Sequence, residues 1–130
     1  LLHKIIKNMG KKIILPVNKR WLQIWNIRKK DPFLDCETLK YNNKLELKEI
    51  GNKIKNIKDV NGQFMGLIFI PKNELIKFKN LINKNKKKNI QTTELINILI
   101  KNNIKIKVLE SRDFWYEFDD YEDIKNFRKF

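Results

Sequence analysis

A mixed α/β layer domain is the fold class this sequence predicts, and three patterns predict it. Two apolar runs of strand length, KKIILPVN (11–18) and FMGLIFIP (64–71), are bounded by turn-forming residues. PKNELIKFKNLINK (71–84) and TTELINILIKNN (92–103) carry apolar residues at helical spacing. IKIKVLE (104–110) alternates apolar and polar side chains as a half-buried strand does. Strands and helices succeed one another without an internal repeat or flexible linker, which suits layers packed around one core.

The elements follow in order. LLHKIIKNMG reads as the end of a helix leading into the strand at 11–18, a buried run ending at Pro16. Asn18 is placed to cap a helix in which Trp21, Leu22, Ile24, Trp25 and Arg28 keep helical spacing. Asp31-Pro32 opens the loop DPFLDCET, and TLKYNNKLELKEIG reads as two strands around the Asn42-Asn43 turn. Asn61-Gly62 is a further turn signal. FMGLIFIP, the most apolar run, reads as the central strand, with Gly66 marking a bulge or a close approach by ligand or backbone. Pro71 opens the next helix, with Leu75, Ile76, Phe78, Leu81 and Ile82 on its apolar stripe. Thr92 or Thr93 caps the following helix and Asn102-Asn103 ends it. FWYEF (114–118) reads as a short strand. DDYEDIKNFRKF (119–130) is a helix with acids in its first turn and bases in its last, matched to the macrodipole.

The chain has 130 residues, enough for one domain or part of one, and 42% of them are hydrophobic, too many for a disordered chain. Its net charge of +14 is a poor guide to partners: Lys supplies 25 of the 29 bases and Arg only 4. Ile, Lys and Asn fill 62 positions, the composition that AT-rich codons produce. Nucleic-acid readers use planar, bidentate Arg, so a nucleic-acid partner is disfavoured. No apolar run approaches the ~20 residues that span a bilayer, so no membrane insertion is expected. Lysines interrupt the first residues and no small-residue cleavage site follows, unlike a signal peptide. The single cysteine, Cys36, cannot form an internal disulfide, and a cytoplasmic location is the expectation. His3 has no neighbouring ligand for zinc, Cys36 has no evident base, and no nucleophile triad is present.

The acids are unevenly spread. Residues 110–123, ESRDFWYEFDDYED, hold seven carboxylates against one base, Arg112. If 114–118 is a strand, Glu117 and Asp119 lie two apart on one face, at the strand end where open α/β sheets bind ligands. Two such oxygens suit Mg²⁺, which takes one or two carboxylates together with substrate phosphates. The competing structural reading has Asp119 or Asp120 capping the last helix, with Glu122 or Asp123 completing a capping box. The aromatic residues Trp21, Trp25, Phe64, Trp115 and Tyr116 divide in the same way. They fit the core, and an aromatic box among them would suit a choline head.

FWYEFDDYEDI resembles the closing "W-x-E-I-D-x-x-E-D-L" motif of small nucleotidyltransferases that activate sugar phosphates, phosphocholine or phosphonates with CTP or a related NTP. In the same order, NKRWLQIWNIRKKDPFLDCETL resembles that group's Trp helix followed by "R-x-x-D-P-L-x-D-A-E-T". KLELKEIGNK resembles its "I-x-E-I-G-x-K" hairpin, GQFMGLIFIPK its "G-E-Y-M-G-L-x-K-I", and TTELINILIKNNIKIKVLE its "T-x-L-L-x-x-L-I-x-x-G-x-x-V". The likeness covers nearly the whole chain. It implies a portion of a Rossmann-like (GT-A-like) mixed sheet with flanking helices, residues 1–130 forming a single acceptor-binding domain or domain fragment. The Gly-rich loop, Pro-Lys element and first metal aspartate of such enzymes have no counterpart here, so pairing with a missing N-terminal half is expected. The resemblance gives Asp119 the metal-binding role with Mg²⁺ as cofactor, and Glu117 the supporting acid. Asp35, Glu37, Gly62, Gln63, Gly66 and Trp115 fall on the acceptor side, with Gln63 where the group usually has Glu. The implied substrates are an NTP, CTP favoured, and a small phosphorylated acceptor whose phosphate attacks the α-phosphorus as pyrophosphate leaves. The alternative is a small basic, non-catalytic α/β module that binds nucleic acid or a protein.

Overall fold

The computed structural model describes residues 1–7, 10, 12–28, 31–34, 36–84 and 89–128. A short helix α1 (Leu2–Lys7) precedes β1 (Ile13–Asn18), in which all six residues are buried. β1, and not the run at 64–71, is the central strand. It lies parallel to β5 (Ile106–Ser111), with Ile13 opposite Ile106 and Asn18 opposite Ser111, and antiparallel to β4 (Gln63–Phe64). The sheet order is β4-β1-β5.

Pro16 explains why FMGLIFIP does not run as a strand. Ile14 exchanges both backbone hydrogen bonds with Phe69. By alternation, position 16 faces the same neighbour, where proline has no N–H to give. The partner bulges outward between Phe64 and Phe69, with Gly66 at φ +71°, and only Met65 N–H returns to the Pro16 carbonyl, at 3.4 Å. A run of apolar residues becomes an irregular edge because its neighbour carries a proline.

The hairpin β2 (Glu37–Tyr41) and β3 (Leu47–Lys53) forms a second sheet. It joins the first through a bridge between Glu46 and Lys107, and Val108 N–H donates to the Leu45 carbonyl at 2.7 Å. α3 (Lys72–Lys84) and α4 (Thr92–Lys101) follow the edge segment. Ile96 and Leu99 of α4 pack with Leu15, Val17, Leu39, Ile50, Ile106 and Val108 in the main core. Neither Thr92 nor Thr93 caps α4: the cap position is Gln91, whose side chain makes no capping bond. Asn102-Asn103 does end it. Asn103 takes φ +58°, and the Ile104 N–H reaches back to the Leu99 carbonyl in a Schellman closure.

α2 (Trp21–Arg28) and α5 (Tyr121–Phe127) pack beside a second core of Trp21, Ile24, Trp25, Cys36 and Val60, flanked by Trp115 and Tyr116. Asn18 Oδ1 accepts from Arg20 N–H at 2.7 Å, so it closes the turn ahead of α2, whose first helical bond begins at the Arg20 carbonyl. FWYEF is not a strand. β5 ends at Ser111, and residues 114–118 cross to α5 in irregular conformation. The strand-face argument for Glu117 and Asp119 therefore fails, and a different contact brings them together.

Two glycines with positive φ differ in surroundings. A Cβ on Gly51 (φ +82°) would stand 2.6 Å from Thr93 Cβ, whereas one on Gly66 would meet nothing within 4 Å. Gly66→Ala is expected to cost about 1–2 kcal/mol from left-handed strain alone. Gly51→Ala is expected to cost about 3 kcal/mol or more, since overpacking adds to the strain. Urea denaturation of both variants checks this ranking, and equal midpoints would contradict it.

Candidate functional site

The residue that organises the acidic segment is Arg28, at the end of α2. Its side chain is fully buried, and its fork is filled by carboxylates. Nε donates to Asp123 Oδ1 at 3.2 Å and Nη2 to Asp123 Oδ2 at 3.0 Å, a bidentate pair in which both partners are buried. Nη2 also donates to Asp119 Oδ2 at 2.6 Å, and Nη1 approaches Glu117 Oε2 at 3.5 Å. The guanidinium carbon lies 4.7 Å from the centre of the Trp25 ring and 6.0 Å from that of Tyr116. Burial works against the charge of Arg28, but the hydrogen bonds and charges of Asp123 and Asp119 outweigh it and hold its pKa above the ordinary value.

The acids divide into separate roles. Asp120 is the cap of α5: its Oδ1 accepts from Asp123 N–H at 2.9 Å. Asp123 is the buried counter-charge, and its Oδ2 also accepts from Asp119 N–H at 2.9 Å. Asp119 is neither cap nor buried. Its side chain is 55% exposed, with one oxygen on Arg28, and its Oδ1 has no hydrogen-bond partner among the described residues. Glu117 is 39% exposed.

Both outer acids open onto a cleft of about 520 Å³ between the acidic segment, the hairpin and β4. Glu37 and Gln63 line the same cleft, as do Trp25, Cys36, Asn52 and Lys53. Four residues singled out in the sequence, distant along the chain, thus share one cavity. Gln63 is buried and donates to the Glu37 carbonyl at 3.3 Å and to Cys36 Sγ at 3.4 Å, which fixes its amide. A cleft of about 560 Å³ between β3 and α4 is slightly larger; Glu49 and Glu94 line it with Lys48 and Lys101, and none of the described candidate site residues does.

Gly62, Gly66 and Trp115 are not among the lining residues. Gly62 is buried against β1, where a Cβ would meet Val17 Cγ1 at 2.4 Å, so close packing demands glycine there. Gly66 is exposed at the edge bulge. Trp115 stacks on Trp25, with ring centres 6.0 Å apart and planes 21° apart. Asp35 lies outside the described residues.

One participant has no site role in the sequence reading, Arg28, and Trp25 takes a different one from the aromatic box considered there. Arg28 left a usable signal, since it is one of only 4 arginines in a chain that otherwise uses lysine. Trp25, read as core or as part of an aromatic box, belongs to the second core and also lines the cleft. Its Nε1 is buried beside the cleft with no acceptor among the described residues.

The CTP:phosphoglutamine cytidylyltransferase of Campylobacter jejuni is 27% identical over 129 residues, covering 91% of this chain. That alignment takes in 50% of the relative, so the chain spans about half the length of the curated protein it matches. No family model matches. The likeness supports a cytidylyltransferase-like relationship. Among the described residues no helix is long and apolar enough to cross a membrane.

The division of roles predicts a graded stability series. Asp123→Asn weakens the counter-charge of a buried guanidinium and is expected to cost about 3 kcal/mol or more. Asp120→Ala removes a helix cap, at about 1 kcal/mol. Asp119→Asn alters a half-exposed ion pair and is expected to cost under about 1 kcal/mol. Urea titration orders the three, and an Asp119→Asn loss as large as that of Asp123→Asn would make Asp119 a structural pillar.

Proposed function

We propose that this chain is the acceptor-binding side of a Mg²⁺-dependent nucleotidyltransferase, in a Rossmann-like mixed sheet. On this reading the whole protein moves a cytidylyl group from CTP to a small phosphorylated acceptor. The observation that carries the proposal is the meeting of Glu117 and Asp119 with Gln63 and Glu37 on one cleft. The resemblance had singled out all four, and they come from three separate stretches of the chain. The relative's name supplies the chemical class: its substrates are CTP and phosphoglutamine, a small phosphorylated acceptor.

The residues fit a hard divalent cation. Asp119 is half exposed, with its Oδ1 unpartnered among the described residues, and Glu117, partly exposed, lines the same cleft. Among the described residues no group of three or more His, Cys, Asp or Glu side chains could hold a metal. A cation here would therefore complete its shell with water and substrate phosphate oxygens, the habit of Mg²⁺. Bound at Asp119, Mg²⁺ would supply neutralisation of the charge on the transferring phosphate and the departing pyrophosphate.

The chain's own groups do the rest. Asp119 would hold the cation, with Glu117 as the supporting acid. Arg28 is spent on carboxylates and buried, so it does not reach a substrate phosphate. Gln63, with its amide fixed by Glu37 and Cys36, offers a neutral wall where related enzymes usually place Glu. That neutrality removes one means of selecting a cationic acceptor. Trp25 Nε1 adds a donor beside the cleft whose acceptor a bound oxygen would provide. The attacking phosphate needs no protein nucleophile.

The test uses the full-length protein, assayed for pyrophosphate release with CTP, Mg²⁺ and a panel of phosphorylated acceptors. Asp119→Asn is expected to lower kcat at least ~100-fold, since the anionic oxygen is lost. Asp120→Asn, which keeps the cap, is expected to retain activity. Full activity in Asp119→Asn, or release of pyrophosphate with none of the acceptors, would overturn the proposal.

A further inference from the structure

Asp119 is held at two points by a single salt pair, an arrangement that goes beyond what a surface carboxylate needs. Its backbone N–H donates to Asp123 Oδ2 at 2.9 Å, and its Oδ2 accepts from Arg28 Nη2 at 2.6 Å. The same Nη2 donates to the same Asp123 Oδ2 at 3.0 Å, so Asp119 closes a small ring with Arg28 and Asp123. The anchor itself cannot swing. Arg28 is enclosed, stacked on Trp25 and tied bidentately to Asp123, and its carbonyl accepts from Asn126 Nδ2 at 3.0 Å. Asp123 is fixed in turn by the Asp120 cap and by Tyr116, whose hydroxyl donates to the Asp123 carbonyl at 3.1 Å.

We propose that Arg28 is the positioning residue of the cation site: by gripping one oxygen of Asp119 it holds the other toward the cleft, ready for a divalent cation. This rests on the reading of Asp119 as a cation ligand. A carboxylate on a free side chain loses rotamer entropy when it binds a metal, and one already fixed does not. Partners that orient a ligand from behind in this way typically govern metal affinity by 10–100-fold. The site requires arginine for geometric reasons. A lysine keeps the charge, but one ammonium cannot serve both oxygens of Asp123 and still reach Asp119. In a chain so rich in lysine, the planar fork marks the position where lysine would not suffice.

The experiment measures Mn²⁺ binding by electron paramagnetic resonance on the full chain, wild type and variants, each kept folded well below its own melting temperature. Arg28→Lys is expected to raise the Kd for Mn²⁺ about tenfold, and Asp119→Asn to abolish binding at this site. A merely structural Arg28 would lower the melting temperature of Arg28→Lys and leave its Kd within about twofold of wild type, which overturns the inference alone. Mn²⁺ bound equally by wild type and Asp119→Asn, or by neither, overturns the cation reading and the inference with it. A measurement on wild type avoids any folding defect. With arginine side chains labelled with ¹⁵N, only 4 residues report. The Arg28 resonances are expected to shift saturably with Mg²⁺, and unmoved Arg28 signals at saturating Mg²⁺ would contradict the proposal.

Discussion

Much of the second core, and the cleft beside it, hangs on one guanidinium taken out of water. Burying a charge is costly unless it is paired and its hydrogen bonds are filled. Arg28 meets that condition with Asp123, Asp119 and Glu117 at the end of α2, and the requirement dictates what lies around it. Asp123 has to be buried, so α5 has to begin where it does. The Asp120 cap then fixes the first turn of α5, and the segment before it has to pass close enough for Asp119 and Glu117 to reach the fork. Trp25 and Tyr116 cover the guanidinium, and Trp115 lies on Trp25. The exposed sides of Asp119 and Glu117 form one wall of the cleft as a consequence of satisfying the buried cation behind them.

The opposite wall has a separate origin. β1 is the central strand, and Pro16 within it prevents the following edge from pairing along its length. β4 survives for two residues only, which sets Gln63 at the point where the edge leaves the sheet. Gly62, packed under Val17, lets that turn approach β1 closely. The hairpin then brings Glu37 alongside, and the Gln63 amide joins the two elements through the Glu37 carbonyl and Cys36. Two rigid walls with unrelated causes thus face one another across about 520 Å³.

Most of the elements were legible from the residues, because local chemistry decided them. The Asn42-Asn43 hairpin, the helix opened by Pro71, the Asn103 helix end and the acid-first α5 all follow from turn propensity, capping and spacing. The misreadings share a cause: each needed knowledge of a neighbour. FMGLIFIP reads as a central strand until Pro16 is placed beside it. FWYEF has the composition of a strand, yet its path is set by Arg28 and the aromatic ring stack. Asp119 and Asp120 compete equally for the cap on paper, and only the position of Arg28 separates them. Of the site, Glu117, Asp119, Glu37 and Gln63 were marked by resemblance and the cleft unites them. The contact that organises them joins α2 to a segment some ninety positions later, a distance over which no periodicity speaks.

The central claim is that Arg28 fixes Asp119 so that its outer oxygen receives a cation from the cleft. Crystals of the full chain grown with Mn²⁺ and measured at the manganese edge test it most directly. The account predicts an anomalous peak within about 2.5 Å of Asp119 Oδ1, with Arg28 still bonded to Asp119 Oδ2 and oxygen ligands completing the shell. An anomalous map with no peak at Asp119, or a cation seated only where Arg28 has been displaced from the carboxylates, would contradict it.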